Sequence, residues 1–287
     1  MTSGSGGGPD EIAPGVFVFT SPLYTTTTTV VVGADGGCLL VDPAVTVADL
    51  AGLARWLTGR GLHPVAGWST HPHWDHLLWS AGLGAAARYA TPAAVAAADR
   101  ARARLAAEAE RDAPGHEPTQ FARVVPWPAS ELDWPGPRAV VYQHSAHAPG
   151  HGALLLPGSG VLIAGDMCSY TEIPLLDLDG ADLHGAEPAG ADPIGAYRAG
   201  LRLLADIPRV RLVVPGHGHV GDGPELRRRI AADLAYLDAV EADAGLSAAR
   251  PVDARLTEAN PAADWLRAEH ARAVAFAAVR SHRPQGG

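Results

Sequence analysis

Residues 69–76 read S-T-H-P-H-W-D-H. Three imidazoles and a carboxylate fall within six positions, directly after the apolar run V-A-G-W at 65–68. That run reads as a strand over 65–69, so the polar cluster starts where the strand ends. His71 and His73 alternate, and an extended backbone turns both rings to the same side. Asp75 and His76 follow at once, which leaves room for a second cation beside the first. A lone histidine is ordinarily a surface or core imidazole; a cluster this dense is not. Neutral imidazoles and carboxylates are borderline ligands that suit zinc.

Two metal shells need about three more ligands from elsewhere in the chain. Three candidates each follow a predicted strand. His151 closes H-A-P-G-H after the strand at 139–143, Asp166 sits in I-A-G-D-M after 161–164, and His217 sits in P-G-H-G-H after 211–214. A glycine beside each lets the backbone turn tightly. Ligands just past strand ends are held at fixed distances by the sheet behind them.

Further strands are expected at 16–19, 25–32, 38–41 and 153–156, with a hairpin turn over 34–37. Helical spacing marks 46–59, where Leu50, Leu53 and Leu57 share a face and Thr46 is the N-cap. Helices are also expected at 91–110, 193–205, 225–241 and 262–279. Two β-rich regions, each followed by helices, point to two sheets covered by helices. Polar loops at 185–192 and 113–120 are expected at the rim of the site. Residues 1–10 read as a tail, 11–245 as the catalytic domain and 246–287 as a helical extension packed on it or mediating a dimer.

Composition narrows the chemistry. All 22 basic residues are arginine, and the net charge is −9. Without lysine there is no Schiff base and no P-loop lysine. An acidic chain with no basic run is a poor partner for nucleic acid. Cys38 and Cys168 lie far apart, which is no disulfide framework and fits a reducing cytoplasm. Residues 1–10, with no basic or apolar segment, are not expected to be a secretory signal, and no apolar run reaches the roughly 18–20 residues that cross a bilayer. The expectation is a cytoplasmic protein with a small-molecule substrate, acting as a monomer or homodimer away from membranes.

The motifs T-H-P-H-W-D-H, H-A-P-G-H, G-D-M and P-G-H-G-H, in that order from about residue 15 to 238, closely resemble those of the metallo-β-lactamase-fold hydrolase superfamily. The resemblance implies an α/β fold, a four-layer αββα sandwich of two mixed sheets with the site at one edge. It implies a first metal on His71, His73 and His151, a second on Asp75, His76 and His217, and Asp166 bridging them. The bridging carboxylate favours the glyoxalase II, lactonase and esterase branch; the missing lysine removes a common holder of glutathione. Two zinc ions are implied, with iron or manganese as alternatives. Asp75 would orient the attacking hydroxide between the metals and shuttle a proton to the leaving group. Acyl-homoserine lactonases of this fold place a tyrosine shortly after the bridging aspartate, which makes Tyr170, at a spacing one residue longer, a candidate contact to the substrate carbonyl.

Around this set, Asp42 at the end of L-L-V-D is a candidate partner for the far nitrogen of a ligand histidine. His147 and His219 read as supporting residues rather than ligands. His184 reads as a solvated loop residue, Cys168 as a small buried hydrophobe, and Trp74 and Trp79 as pocket wall or core. The activity implied is hydrolysis of a small ester, lactone or thioester without a covalent acyl-enzyme. The alternatives are β-lactamase-like amide hydrolysis and a mononuclear iron persulfide dioxygenase.

Overall fold

Apolar side chains alternate along the first strands, and the alternation builds two cores from one sheet. In β3 (Thr27–Val32) and β4 (Gly37–Val41), Val31, Leu39 and Val41 face inward while Val30, Cys38 and Leu40 face outward. The computed structural model describes residues 8–178, 192–243 and 253–281. Its first sheet has the order β1 (Asp10–Ala13), β2 (Val16–Thr20), β3, β4, β5 (His63–Trp68), β6 (Ala87–Ala90) and β7 (Val125–Pro126). The pairs from β1 to β4 are antiparallel, and those from β4 to β7 are parallel. The expected β3–β4 hairpin forms, turning through a short 3₁₀ segment at Ala34–Gly36.

Helix α1 (Val47–Gly59) makes the crossover from β4 to β5. Thr46 and Asp49 cap it reciprocally: Asp49 N–H donates to Thr46 Oγ1 at 3.1 Å and Thr46 N–H to Asp49 Oδ2 at 3.2 Å. Its Leu50, Leu53 and Leu57 cover the outward face of the sheet. Each such buried leucine is worth roughly 1.5–3 kcal/mol. Helix α2 (Pro92–Asp112) starts from a Thr91 cap with proline in its first turn and packs over Trp74, Leu77 and Leu78.

The second sheet has the order β13 (Gly221–Asp222), β12 (Leu212–Pro215), β11 (Val161–Gly165), β10 (His151–Leu156), β9 (Ala139–His144) and β8 (Glu131–Leu132). Here Leu154, Leu156, Val161 and Ile163 meet the inward face of the first sheet, and Leu155 and Leu162 face outward. Helices α3 (Pro193–Ala205), α4 (Gly223–Asp243) and α5 (Ala263–Ser281) cover that outer face through Leu201, Leu237 and Leu266. The result is the four-layer αββα sandwich of two mixed sheets.

The stretch before α5 is locked by Arg255, whose Nη1 lies 2.6 Å from the buried Asp233 Oδ1 on α4. The rim loop expected at 185–192 lies outside the described residues except for Asp192, which caps α3; His184 lies outside them too. Among the described residues no helix is long and apolar enough to cross a membrane.

Strand ends of the two sheets are tied together at one place. Trp68 Nε1 donates to Gly152 O at 2.8 Å, Gly152 N to Thr70 O at 2.7 Å, and Thr27 N to Gly216 O at 2.7 Å. These bonds, with Gly216 N donating to Gly165 O at 2.6 Å, bring the segments after β5, β11 and β12 to a common edge.

Candidate metal centre

Three imidazole nitrogens converge first. His73 Nδ1 lies 3.1 Å from His71 Nε2 and 3.0 Å from His147 Nε2, and both partners lie 3.4 Å from Asp166 Oδ2. A second group faces it. His76 Nε2 is 3.4 Å from Asp75 Oδ2 and 3.2 Å from Asp166 Oδ1, while His217 Nε2 is 3.3 Å from Asp75 Oδ2 and 3.2 Å from Asp166 Oδ2. Within each of the groups His71–His73–His147–Asp166 and Asp75–His76–His217, one donor atom per residue lies within 4.8 Å of every other. Asp166 reaches both groups. Gly216 makes that possible, because a Cβ there would stand 1.9 Å from Asp166 Oδ1.

The structure sets one sequence-predicted ligand apart from the others. His151 does not join the ligand atoms; His147, read as a supporting residue, takes that place. The reason is where β10 begins. His151 is already in the ladder, paired with His144 of β9, and its ring stacks on His144 at 4.4 Å and on His71 at 5.2 Å. His147 sits in the loop between the two strands and is free of that alternation. His151 therefore forms part of the wall behind His71, fully buried, with both ring nitrogens lacking a hydrogen-bond partner.

The far nitrogens of three ligand-type histidines have hydrogen-bond partners, and that of a fourth faces a carboxylate. His71 Nδ1 lies 3.0 Å from Thr70 Oγ1, His147 Nδ1 3.0 Å from Leu175 O, and His217 Nδ1 3.0 Å from Tyr24 O. His76 Nδ1 lies 3.0 Å from Asp42 Oδ2, and the same carboxylate accepts from Thr70 N–H and Oγ1 at 2.8 and 2.7 Å. Such contacts fix ring tautomer and orientation. Tyr24, Thr25 and Asp42 adopt left-handed backbone conformations, with φ of 57°, 51° and 47°. Two of the contacts that hold these rings, from Tyr24 and Asp42, thus come from residues in strained backbone conformations.

The electrostatics favour cations. Burial pushes the His71 pKa down to about 4, and burial also holds His73 well below the ordinary range. Burial lowers His76 and His217 as well, but Asp166 with Asp75, Asp42 and Glu172 outweighs it and raises both well above the ordinary value. Burial opposes ionisation of Asp75 and Asp166, yet the neighbouring histidines hold both carboxyls well below the usual range. His76 Nε2 and Asp166 Oδ1 are buried without a hydrogen bond from the protein. An orphaned carboxylate oxygen among ionised carboxylates, beside His71 and His73 whose rings burial keeps neutral, fits a site for divalent cations.

A cavity of about 530 Å³ opens over this centre. Its walls include Tyr24 and Glu172, neither of which stands out in the sequence. Glu172 Oε1 lies 4.0 Å from His217 Nδ1, and burial raises its pKa. Trp74 lines the cavity, whereas Trp79 is buried behind β5 under Arg88.

Tyr170 and His219 lie elsewhere. Tyr170 is 57% exposed, packs on His219 at 4.7 Å and lines a separate cavity of about 590 Å³. The structure thus places Tyr170, the sequence candidate for a substrate contact, away from the cavity over the metal-binding groups. Cys168 is fully buried, and burial pushes its thiol pKa well up.

The comparisons with known proteins agree with this fold. The model of the metallo-beta-lactamase superfamily matches residues 23–217. No curated protein matches the chain in sequence. A metallo-beta-lactamase family protein from Thermus thermophilus superposes with a TM-score of 0.62 at 23% identity over 96% of each chain. A beta-lactamase domain protein from Burkholderia ambifaria gives 0.62 at 22% identity, over 85% of this chain and 79% of that one. A protein crystallised in a di-iron-bound form gives 0.56 at 28% identity, over 75% of this chain and 98% of that one.

Proposed function

Because the chain belongs to the metallo-β-lactamase superfamily, we propose that it is a binuclear zinc-dependent hydrolase of a small-molecule ester, lactone or thioester. The observation that carries the reading is the pair of donor groups sharing Asp166. His71 Nε2, His73 Nδ1 and His147 Nε2 would hold one cation and Asp75, His76 and His217 the other. When bound, such a pair supplies a hydroxide nucleophile at neutral pH and a Lewis acid for the carbonyl oxygen.

The chain's own residues do the rest. Asp166 spans both groups and fixes their separation. Asp75 lies between His76 and His217 on the cavity floor, where its carboxylate orients the attacking water and passes a proton to the leaving atom. In the net step, water adds to the acyl carbon, the acyl–oxygen or acyl–sulfur bond breaks, and the proton goes to the departing oxygen or sulfur. Cys168, buried with a raised pKa, does not serve as the nucleophile. The protein is proposed to work in the cytoplasm on small molecules rather than nucleic acid.

The second donor group supports a binuclear centre over a mononuclear dioxygenase. Iron in the same ligand set is the second reading, favoured by the di-iron neighbour at 28% identity. Metal analysis of the purified protein, paired with a panel of lactones, thioesters, aryl esters and nitrocefin, tests both. Zinc at two per chain with ester, lactone or thioester turnover supports the proposal, and Asp166→Ala should lower metal content and rate together. Iron with oxygen uptake, or turnover of nitrocefin alone, would overturn it.

A further inference from the structure

Helix α5 does two jobs. Leu266, Ala273 and Ala277 bury one face in the outer core. Trp265, Glu269 and Arg272, at i, i+4 and i+7, share another face and line the metal cavity. Helix α2 lines the same cavity with Ala97, Ala101, Arg104 and Glu108, also spaced along one helical face. Trp265 is 48% exposed, so the indole presents apolar surface to the cavity. Tyr24, 48% exposed, adds a second aromatic wall, edge-on to Trp74 at 6.4 Å. Leu175 and Leu176 continue the apolar lining.

The guanidiniums in the helical walls are each paired. Arg104 Nη1 pairs with Glu108 at 2.7 Å, Arg111 Nη2 with Asp112 at 2.7 Å, and Arg272 Nη1 with Glu269 at 3.0 Å. Each guanidinium has a carboxylate on its own helix, and Glu172 adds negative charge next to the centre. At the helical wall, away from the metal-binding groups, an anionic chain end would meet guanidiniums that already hold carboxylates. An apolar group would gain by covering the indole and the alanine face.

Resting on the hydrolase reading, we infer that the cavity takes an uncharged substrate whose acyl or alkyl chain lies against Trp265, and that Trp265 sets the preference for that chain. This narrows the substrate class to neutral apolar esters, lactones or thioesters, and sets aside thioesters with an anionic leaving group. The C-terminal helix then determines specificity from outside the metal-binding segments.

The test uses the metal-loaded full chain and p-nitrophenyl acetate, p-nitrophenyl octanoate and the equally long mono-p-nitrophenyl ester of suberic acid, which ends in a carboxylate. Octanoate is expected to exceed both other esters in kcat/KM by about tenfold, and Trp265→Ala to cut the octanoate-to-acetate ratio by about tenfold, mostly through KM. Trp265→Phe should keep most of the ratio, and circular dichroism with metal content checks that both variants fold. Equal or better turnover of the carboxylate-ended ester, or an unchanged ratio in Trp265→Ala, overturns the inference while leaving hydrolysis established. If none of the three esters is turned over, the lactone and thioester panel decides the hydrolase reading, and calorimetry still decides the cavity's preference. Tighter binding of octanamide than of suberamate, weakened by Trp265→Ala, supports it; equal binding of the two overturns it.

Discussion

Replacing His147 by alanine and, separately, His151 by leucine separates the ligand from the wall. His147 Nε2 lies 3.0 Å from His73 Nδ1 and 3.4 Å from Asp166 Oδ2, so its loss removes one of three converging imidazoles. Removing a group that merely braces a ligand costs about 10–100-fold in affinity, so losing a ligand should cost about 100-fold or more, about 2.7 kcal/mol. His151 is fully buried, and neither ring nitrogen has a partner. Leucine would remove a desolvation cost of about 1–3 kcal/mol and forfeit the stacking on His144 and His71. Those terms nearly cancel, so stability should change by less than about 2 kcal/mol while both metals are kept. Dialysis against zinc buffers followed by plasma mass spectrometry gives occupancy, and urea unfolding gives stability. Two tightly held metals in His147→Ala, or one in a folded His151→Leu, would refute the assignment.

Three other perturbations probe the surroundings. Asp42→Asn weakens the brace on His76 and should lower affinity for the second cation by about 10–100-fold in the same dialysis assay. Arg255→Met strands the buried Asp233 and should cost about 3–5 kcal/mol in urea unfolding, with metal affinity unchanged. Burial holds the His144 pKa at about 4, below the ordinary 6.5. The unfolded chain therefore takes up that proton first, so this group's stabilisation is complete above pH 6.5 and is lost as pH falls through 4. The loss amounts to about 3 kcal/mol, and unfolding of metal-free protein at about pH 7 and about pH 4.5 should show a slope that His144→Phe flattens.

Local signals carried most of the fold. The Thr/Val run of β3, the Thr46 cap of α1 and the leucine spacing behind it each announce an element whose partners are nearby in sequence. Helix α3 was expected at 193–205 and spans Pro193–Ala205. Strand β6, A-R-Y-A, gave no such signal, because a short parallel strand carries neither alternation nor a β-branched run. Strands β7, β8 and β13 have two residues each, too few for a pattern. At the site, H-x-H-x-D-H was legible because its donors are contiguous. The choice between His147 and His151 turns on two residues of strand boundary: the apolar run starts at 153, whereas β10 begins at His151. Tyr24, Glu172 and Trp265 reach the cavity from a loop, a turn and a distant helix, and only tertiary structure brings them together.

The most direct measurement is an anomalous difference map from crystals of the metal-loaded protein, collected at the absorption edge of the bound metal. Two peaks should appear, one among His71, His73 and His147 and one among Asp75, His76 and His217, with Asp166 touching both. A single peak, a peak on His151, or an empty pocket in protein given excess zinc would contradict the account.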